Sequence, residues 1–228
     1  KDYLMWLDAD DVLPESSLKK LLALKETLDP GVSVVMMPYH VSFDTQGKPT
    51  FWYYRERILR NSPVYRWQGR VHEAVTPGGQ VVYWKAAVSH KKLRPGDPDR
   101  NLRILEDMKE SGQLTTPRHQ FYYARELYDH GRFQEASQEL EAFLARQDGW
   151  LENQIDACRL LAHCRYALEQ EQQALAALLR SLELDVPRAE LCCEIGRHFF
   201  DRGQYAMAVF WYDLALTRPY HPENGGFI

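Results

Sequence analysis

Hydrophobic spacing changes once along this chain. Up to about residue 90, short apolar runs alternate with turn signals, and from 117 onward the apolar positions recur at helical spacing. "YLMWLD" (3–8) reads as a buried strand. "PESSLKKLLALKETL" (14–28) reads as a helix, with Pro14 suited to its first turn and Glu15 to its N-terminal dipole. Leu18, Leu21, Leu22 and Leu28 are assigned to one face of that helix, and "DPG" (29–31) ends it. "VSVVMMPY" (32–39) is the next strand. "SFDTQGKPTFWYY" (42–54) reads as a hairpin turning near Gln46-Gly47. "RVHEAV" and "QVVYW" flank Pro77-Gly78-Gly79 and predict a second hairpin.

"KKLRPGDPDR" (91–100) breaks the composition and marks a linker, followed by a connecting helix in "NLRILEDMKES". The domain expectation is therefore 1–92, a linker and helix over 93–116, and a helical part over 117–228. That last part repeats itself, in units of about 117–147, 155–187 and 189–222. Small residues recur in phase as Ala124 with Ala136, Ala162 with Ala174, and Gly196 with Ala208. Gly131 and Gly203 mark the turns, and Glu169 stands at that position in the middle unit. The anchors Ala174 and Ala208 are 34 residues apart (208 − 174), and Ala136 and Ala174 are 38 apart (174 − 136), so about four residues are inserted there. The register resembles tetratricopeptide repeats. His119, His130, His163 and His198, with Tyr122, Tyr123, Tyr128, Phe199, Phe200 and Trp211, are read as packing or surface residues of these helices.

Composition is globular, at 45% hydrophobic and 26% charged over 228 residues. A net charge of −4 gives no electrostatic case for nucleic-acid binding. No apolar run approaches a membrane span of roughly 20 residues. Cys158, Cys164, Cys192 and Cys193 lack zinc spacing and read as reduced thiols of a cytoplasmic protein. Opening on an apolar strand suggests that further chain precedes Lys1.

The candidate chemistry sits where that first strand ends, at Asp8, Asp10 and Asp11. Carboxylate clusters suit hard cations such as Mn²⁺ or Mg²⁺. On a strand, Asp8 and Asp10 share a face, so both can meet one cation; Asp11 reads as a turn or helix-cap residue. His90 is a further candidate ligand, because imidazole accepts Mn²⁺.

"YLMWLDADDVLPESSLKKLLAL" resembles the metal-binding strand and following helix of family 2 glycosyltransferases. "YYRERILRN", "YRWQGRVHEAV" and the later "SH" resemble the acceptor-side half of bacterial members, some of which carry tetratricopeptide-like repeats. The resemblance implies a partial GT-A-like α/β domain with a mixed sheet, followed by an all-α repeat solenoid. It implies an inverting transfer from a nucleotide sugar (UDP- or GDP-linked) to a glycan, lipid-linked or protein acceptor. Asp10 would be a metal ligand, Asp8 a ligand or ribose contact, and Glu73 the base with His72 beside it. A strand would turn Glu73 and His72 to opposite faces. Arg57, Arg60 and Arg70 would clamp diphosphate or acceptor, and Trp67 would stack on a sugar. The nucleotide-binding half would lie upstream, so this stretch alone would be inactive. A cytoplasmic location follows, including a peripheral one at the inner membrane face, with the repeats recruiting acceptor or partner.

Two other readings fit parts of the sequence. Asp8-Ala9-Asp10-Asp11-Val12 matches the first motif of haloacid-dehalogenase-like phosphatases, but their later acidic motif is lacking before the repeats. A non-catalytic protein-interaction scaffold with a vestigial transferase half is the other.

Overall fold

The computed structural model describes residues 2–91 and 96–217. The expected linker start at 93–95 and the end of the third repeat at 218–222 lie outside the described residues. The chain forms two compact units that part between Pro98 and Asp99.

The first unit is a six-stranded sheet with one helix. Its strands are β1 (Tyr3–Met5), β2 (Asp11–Val12), β3 (Val34–Phe43), β4 (Pro49–Arg60), β5 (Val81–Tyr83) and β6 (Val88–His90), with α1 (Glu15–Thr27) after β2. The main path runs β1-β4-β3-β6-β2, and β5 also pairs with β3. The β3–β4 hairpin is its spine. Asp44 closes the turn, its Oδ1 accepting from Gln46 N and Lys48 N, while Gly47 takes φ 78°. Pro38 lies in β3 between the stretches that pair with β5 and β6, where its missing N–H costs no ladder bond.

Alternation along β3 builds both faces. Val35, Met37 and Tyr39 pack with Leu24, Ile58 and Val88, while Val34 packs with Leu59 and Val75 on the other side. Full burial of each such aliphatic side chain contributes about 2 kcal/mol.

Several expectations for this unit need correction. The sheet is a small, curled one built mostly from antiparallel pairs, and α1 is its one helix among the described residues; it is not a GT-A fold. The first strand is a three-residue edge strand, with Leu4 and Leu7 exposed rather than buried. The inward stripe of α1 is Ser17, Leu21 and Leu24, continued by Leu28 just past its end, and Leu18 and Leu22 face outward. Ser17 is buried because its Oγ accepts from Ala87 N at 2.9 Å. No second hairpin forms around Pro77–Gly79. The "RVHEAV" segment makes only an isolated bridge, Gln68 to Ala74, and β5 instead runs parallel to β3. His72, at φ 50°, breaks the extended run.

The second unit opens with α2 (Arg100–Glu110). Three antiparallel pairs follow: α3 (Pro117–Asp129) with α4 (Phe133–Ala145), α5 (Leu151–Ala167) with α6 (Glu171–Arg180), and α7 (Ala189–Phe200) with α8 (Tyr205–Leu216). Thr116 caps α3, its Oγ1 accepting from His119 N at 3.2 Å, with Pro117 at the first helical position. Ala124, Ala136, Ala162 and Ala174 are fully buried where the helices cross. A Cβ added to Gly196 would fall 2.7 Å from the Tyr212 ring, so only glycine lets α8 approach. The turns need left-handed backbone at Gly131 (φ 71°), Glu169 (φ 59°) and Gly203 (φ 69°). The four extra residues form an additional first turn of α5. Ala162 is the twelfth residue of its helix, whereas Ala124 and Gly196 are each the eighth of theirs. Cys158, Cys164 and Cys192 are buried and Cys193 is exposed. Burial pushes the Cys158 thiol up to about 12 and Cys164 to about 11. Among the described residues, no helix is long and apolar enough to cross a membrane.

Candidate functional site

The acidic tip is a tight turn, not the end of a strand. Asp11 N donates to Asp8 O at 3.0 Å, and Asp8 N donates to Asp11 Oδ2 at 3.0 Å. Strand alternation therefore does not govern residues 8–10, and Asp8 and Asp10 do not form the pair expected from it. The pairing of β2 with β6 sets Asp11 opposite His90, and Lys91 N donates to Asp10 O at 2.8 Å. His90 Nδ1 then lies 3.5 Å from Asp10 Oδ1 and 3.7 Å from Asp11 Oδ1.

Asp10, Asp11 and His90 offer one ligand atom each, all within 4.8 Å of one another. Asp11 Oδ1 and His90 Nδ1 are buried and accept or donate no hydrogen bond. Two carboxylates and an imidazole suit Mn²⁺ or Mg²⁺, and the two unpartnered atoms are the ones a cation would satisfy. The donor set therefore fits a divalent ion. Asp8 is exposed and outside this cluster.

Arg57 anchors the cluster from behind. Its side chain is fully buried on β4, and Nη1 stands 2.8 Å from Asp11 Oδ2. The guanidinium is clamped between rings, 4.1 Å from the Trp6 centroid and 4.3 Å from that of Tyr39. Desolvated cation–π contacts of this kind contribute about 2 kcal/mol each. Burial and the Asp11 carboxylate raise the Tyr39 hydroxyl well above the ordinary range. Trp67 stands edge-on to Trp6 at 4.7 Å, half-exposed.

Other expected site residues stand elsewhere. Arg70, His72 and Glu73 are exposed on the segment between β4 and β5, outside the cation cluster. That segment is not a strand there, so the opposed-face argument for His72 and Glu73 falls. Arg60 donates to the carbonyls of Pro30 and Val32 and fastens the start of β3. Asp11 is the residue that sequence reasoning placed in a turn alone. It makes that turn and also faces His90, a pairing that only the β2–β6 register brings about.

The second unit carries a line of polar contacts between the first helices of successive pairs. Tyr128 Oη lies 3.2 Å from His163 Nδ1, and His163 Nε2 lies 2.8 Å from Glu194 Oε2. Tyr166 Oη lies 2.6 Å from His198 Nδ1. Beside them Arg159 pairs with Asp156 at 2.7 Å and reaches Glu194 at 4.0 Å.

These pairs are tetratricopeptide-like helical repeats. No family model matches the sequence, and no curated protein does. Solved structures that share the helical pairs include MamA, at 15% identity and TM-score 0.42 over 59% of this chain and 82% of that one. PilF of Pseudomonas aeruginosa is similar at 18% identity and TM-score 0.42, over 56% of this chain and 64% of that one. The type III secretion translocator chaperone SycD of Yersinia enterocolitica is similar at 18% identity and TM-score 0.39, over 48% and 83%. At these TM-scores the repeat assignment rests on the chain's own helix pairs, small residues and turns.

Proposed function

We propose that this chain is a protein-docking scaffold, with the tetratricopeptide-like unit holding a polypeptide partner and the sheet unit holding a divalent cation. The observation that carries the reading is the polar line along α3, α5 and α7. Successive first helices of stacked pairs share one face. Here that face offers Arg159, Asp156, Glu190 and Glu194, partly satisfied by one another and partly open to solvent. Such a mixed-charge groove suits an extended segment whose side chains exchange ion pairs with it. Selection from a random peptide library against the full chain tests this. Enriched peptides should bind with micromolar affinity by calorimetry, and Arg159→Ala should weaken them about tenfold or more. No enrichment over a bare matrix would overturn the reading.

A second reading is favoured by one observation, the juxtaposition of Asp10 with His90. It is a cation-dependent sugar transfer from a nucleotide-sugar donor to a glycan, lipid-linked or protein acceptor. A bound Mn²⁺ or Mg²⁺ would supply charge neutralisation for a departing diphosphate. Asp10, Asp11 and His90 would hold the ion, and Arg57 would fix the Asp11 carboxylate. Calorimetric titration of nucleoside diphosphate into the Mn²⁺-loaded chain tests it, with cation-dependent binding expected in the parent and lost in His90→Ala. Absence of cation-dependent binding in the parent, or equal binding in His90→Ala, would overturn it.

A further inference from the structure

A small cavity lies between α5 and α7. Glu152, Ile155, Asp156 and Arg159 line it from the one helix, and Glu190 and Leu191 from the other. Its volume of about 20 Å³ admits one water-sized group. Two of its three carboxylates already hold a guanidinium. Arg188 Nη2 donates to Glu152 Oε1 at 2.8 Å. Arg159 donates to Asp156 Oδ1 twice, from Nε at 2.9 Å and from Nη2 at 2.7 Å.

The remaining acceptors have no donor. Asp156 is 7% exposed, and its buried Oδ2 accepts no hydrogen bond. Arg125 Nη1 stands 4.0 Å from that oxygen, beyond hydrogen-bond reach. Among the described residues Glu190 has neither a hydrogen-bond nor an ion-pair partner for its side chain. A buried carboxylate oxygen without a donor carries a desolvation cost that an incoming N–H removes. Arg159 fixes Asp156 through Oδ1, which keeps Oδ2 for another donor. The group that completes the cavity is therefore a cationic donor the size of a water molecule. A lysine ammonium meets both demands, as a compact point charge with three N–H groups. The planar guanidinium of arginine, with its three nitrogens, is too large.

We propose that the docked polypeptide places a lysine side chain in this cavity, its ammonium donating to Asp156 Oδ2 and lying against Glu190. The inference rests on the reading of this unit as a polypeptide dock, and adds which residue of the partner is read. It also gives Arg159 its part in the groove. Without Arg159 the buried Asp156 carboxylate loses both bonds that orient it, and a carboxylate at position 159 would repel it.

Four peptide libraries selected on the full chain test it. They are N-acetylated, so no terminal amine competes, and differ only in a fixed central residue, Lys, Arg, Met or Glu, with Lys and Arg left out of the random positions. The lysine library should be enriched about tenfold or more over the other three. Asp156→Asn should abolish that preference with the helical circular dichroism unchanged. If Asp156→Asn loses helicity, Glu190→Gln, at a partly exposed position, serves instead, with the same loss expected. Enrichment of some library without a lysine preference, an equal preference for arginine, or a lysine preference that survives these substitutions would overturn the inference and leave the docking reading standing. The cavity would then be a water site. Enrichment of none of the four would overturn the docking reading and this inference with it.

Discussion

His90 Nδ1 lies 3.5 Å from Asp10 Oδ1, across a strand pairing that also sets Asp11 opposite His90. Neither buried free atom of the cluster, Asp11 Oδ1 or His90 Nδ1, has a hydrogen-bond partner. Mn²⁺ should therefore bind the full chain at one site, read by the loss of the free-ion paramagnetic resonance signal. His90→Ala and Asp10→Ala should each weaken binding by about tenfold or more. Asp8→Ala should leave it within about twofold, because Asp8 lies outside the cluster. An Asp8→Ala loss as large as that of Asp10→Ala would contradict the geometry.

Arg57 and Asp11 form a fully buried ion pair. Removing one partner strands the other charge away from water, at a cost of about 3–5 kcal/mol. Arg57→Ala should lower the urea midpoint of the sheet unit accordingly. Arg57→Ala with Asp11→Ala together should cost less than the sum of the single changes, since no unpaired charge remains. Additive losses would show that the pair is not coupled.

Much of the second unit was legible from sequence because its constraints are local and repeated. Ala124, Ala162 and Gly196 must be small wherever two helices cross, and Gly131 and Gly203 recur where the turn needs positive φ. The four-residue insertion was visible as a count, but its form, an extra first turn of α5, was not. In the first unit the apolar runs misled. "YLMWLD" looks buried by composition, yet edge position leaves Leu4 and Leu7 in the open. Tracing the sheet requires knowing that β5 joins β3 in parallel, a long-range pairing with no local signature. Asp10 and His90 were separately recognisable as ligand types. Asp11 looked like a turn residue because it is one, and its approach to His90 depends on the β2–β6 register.

Glu169 takes the left-handed turn that glycine takes in the other two units. A β-carbon there costs about 1–2 kcal/mol. Glu169→Gly should stabilise the solenoid by about 0.5–1 kcal/mol after the added chain entropy of glycine is subtracted. Gly131→Ala should destabilise it by about 1 kcal/mol through backbone strain, since nothing lies within 4 Å of the added carbon. Thermal unfolding followed by circular dichroism resolves both signs.

His198 is buried between Tyr166 and Phe199, and burial, with Arg202 nearby, holds its imidazole below the ordinary histidine value. The unfolded chain therefore takes up the proton first as pH falls. Stability from this group is complete above about pH 6.5, the unfolded value, and is lost as pH drops through the lower folded value. His130 works in the opposite sense, raised by its bond to the Glu126 carbonyl and by Asp99. The comparison that isolates His198 is parent against His198→Asn. The parent should lose more stability than the variant between pH 7 and pH 5, and parallel profiles would contradict the assignment.

The account rests most on the polar face along α3, α5 and α7 as a polypeptide dock, and Arg159 is the residue that ties that face together. Calorimetric titration of a library-selected peptide into the parent chain and into Arg159→Glu is the most direct test. The account predicts micromolar binding to the parent and about a hundredfold loss in the reversed-charge variant. Equal affinity for both chains would contradict it.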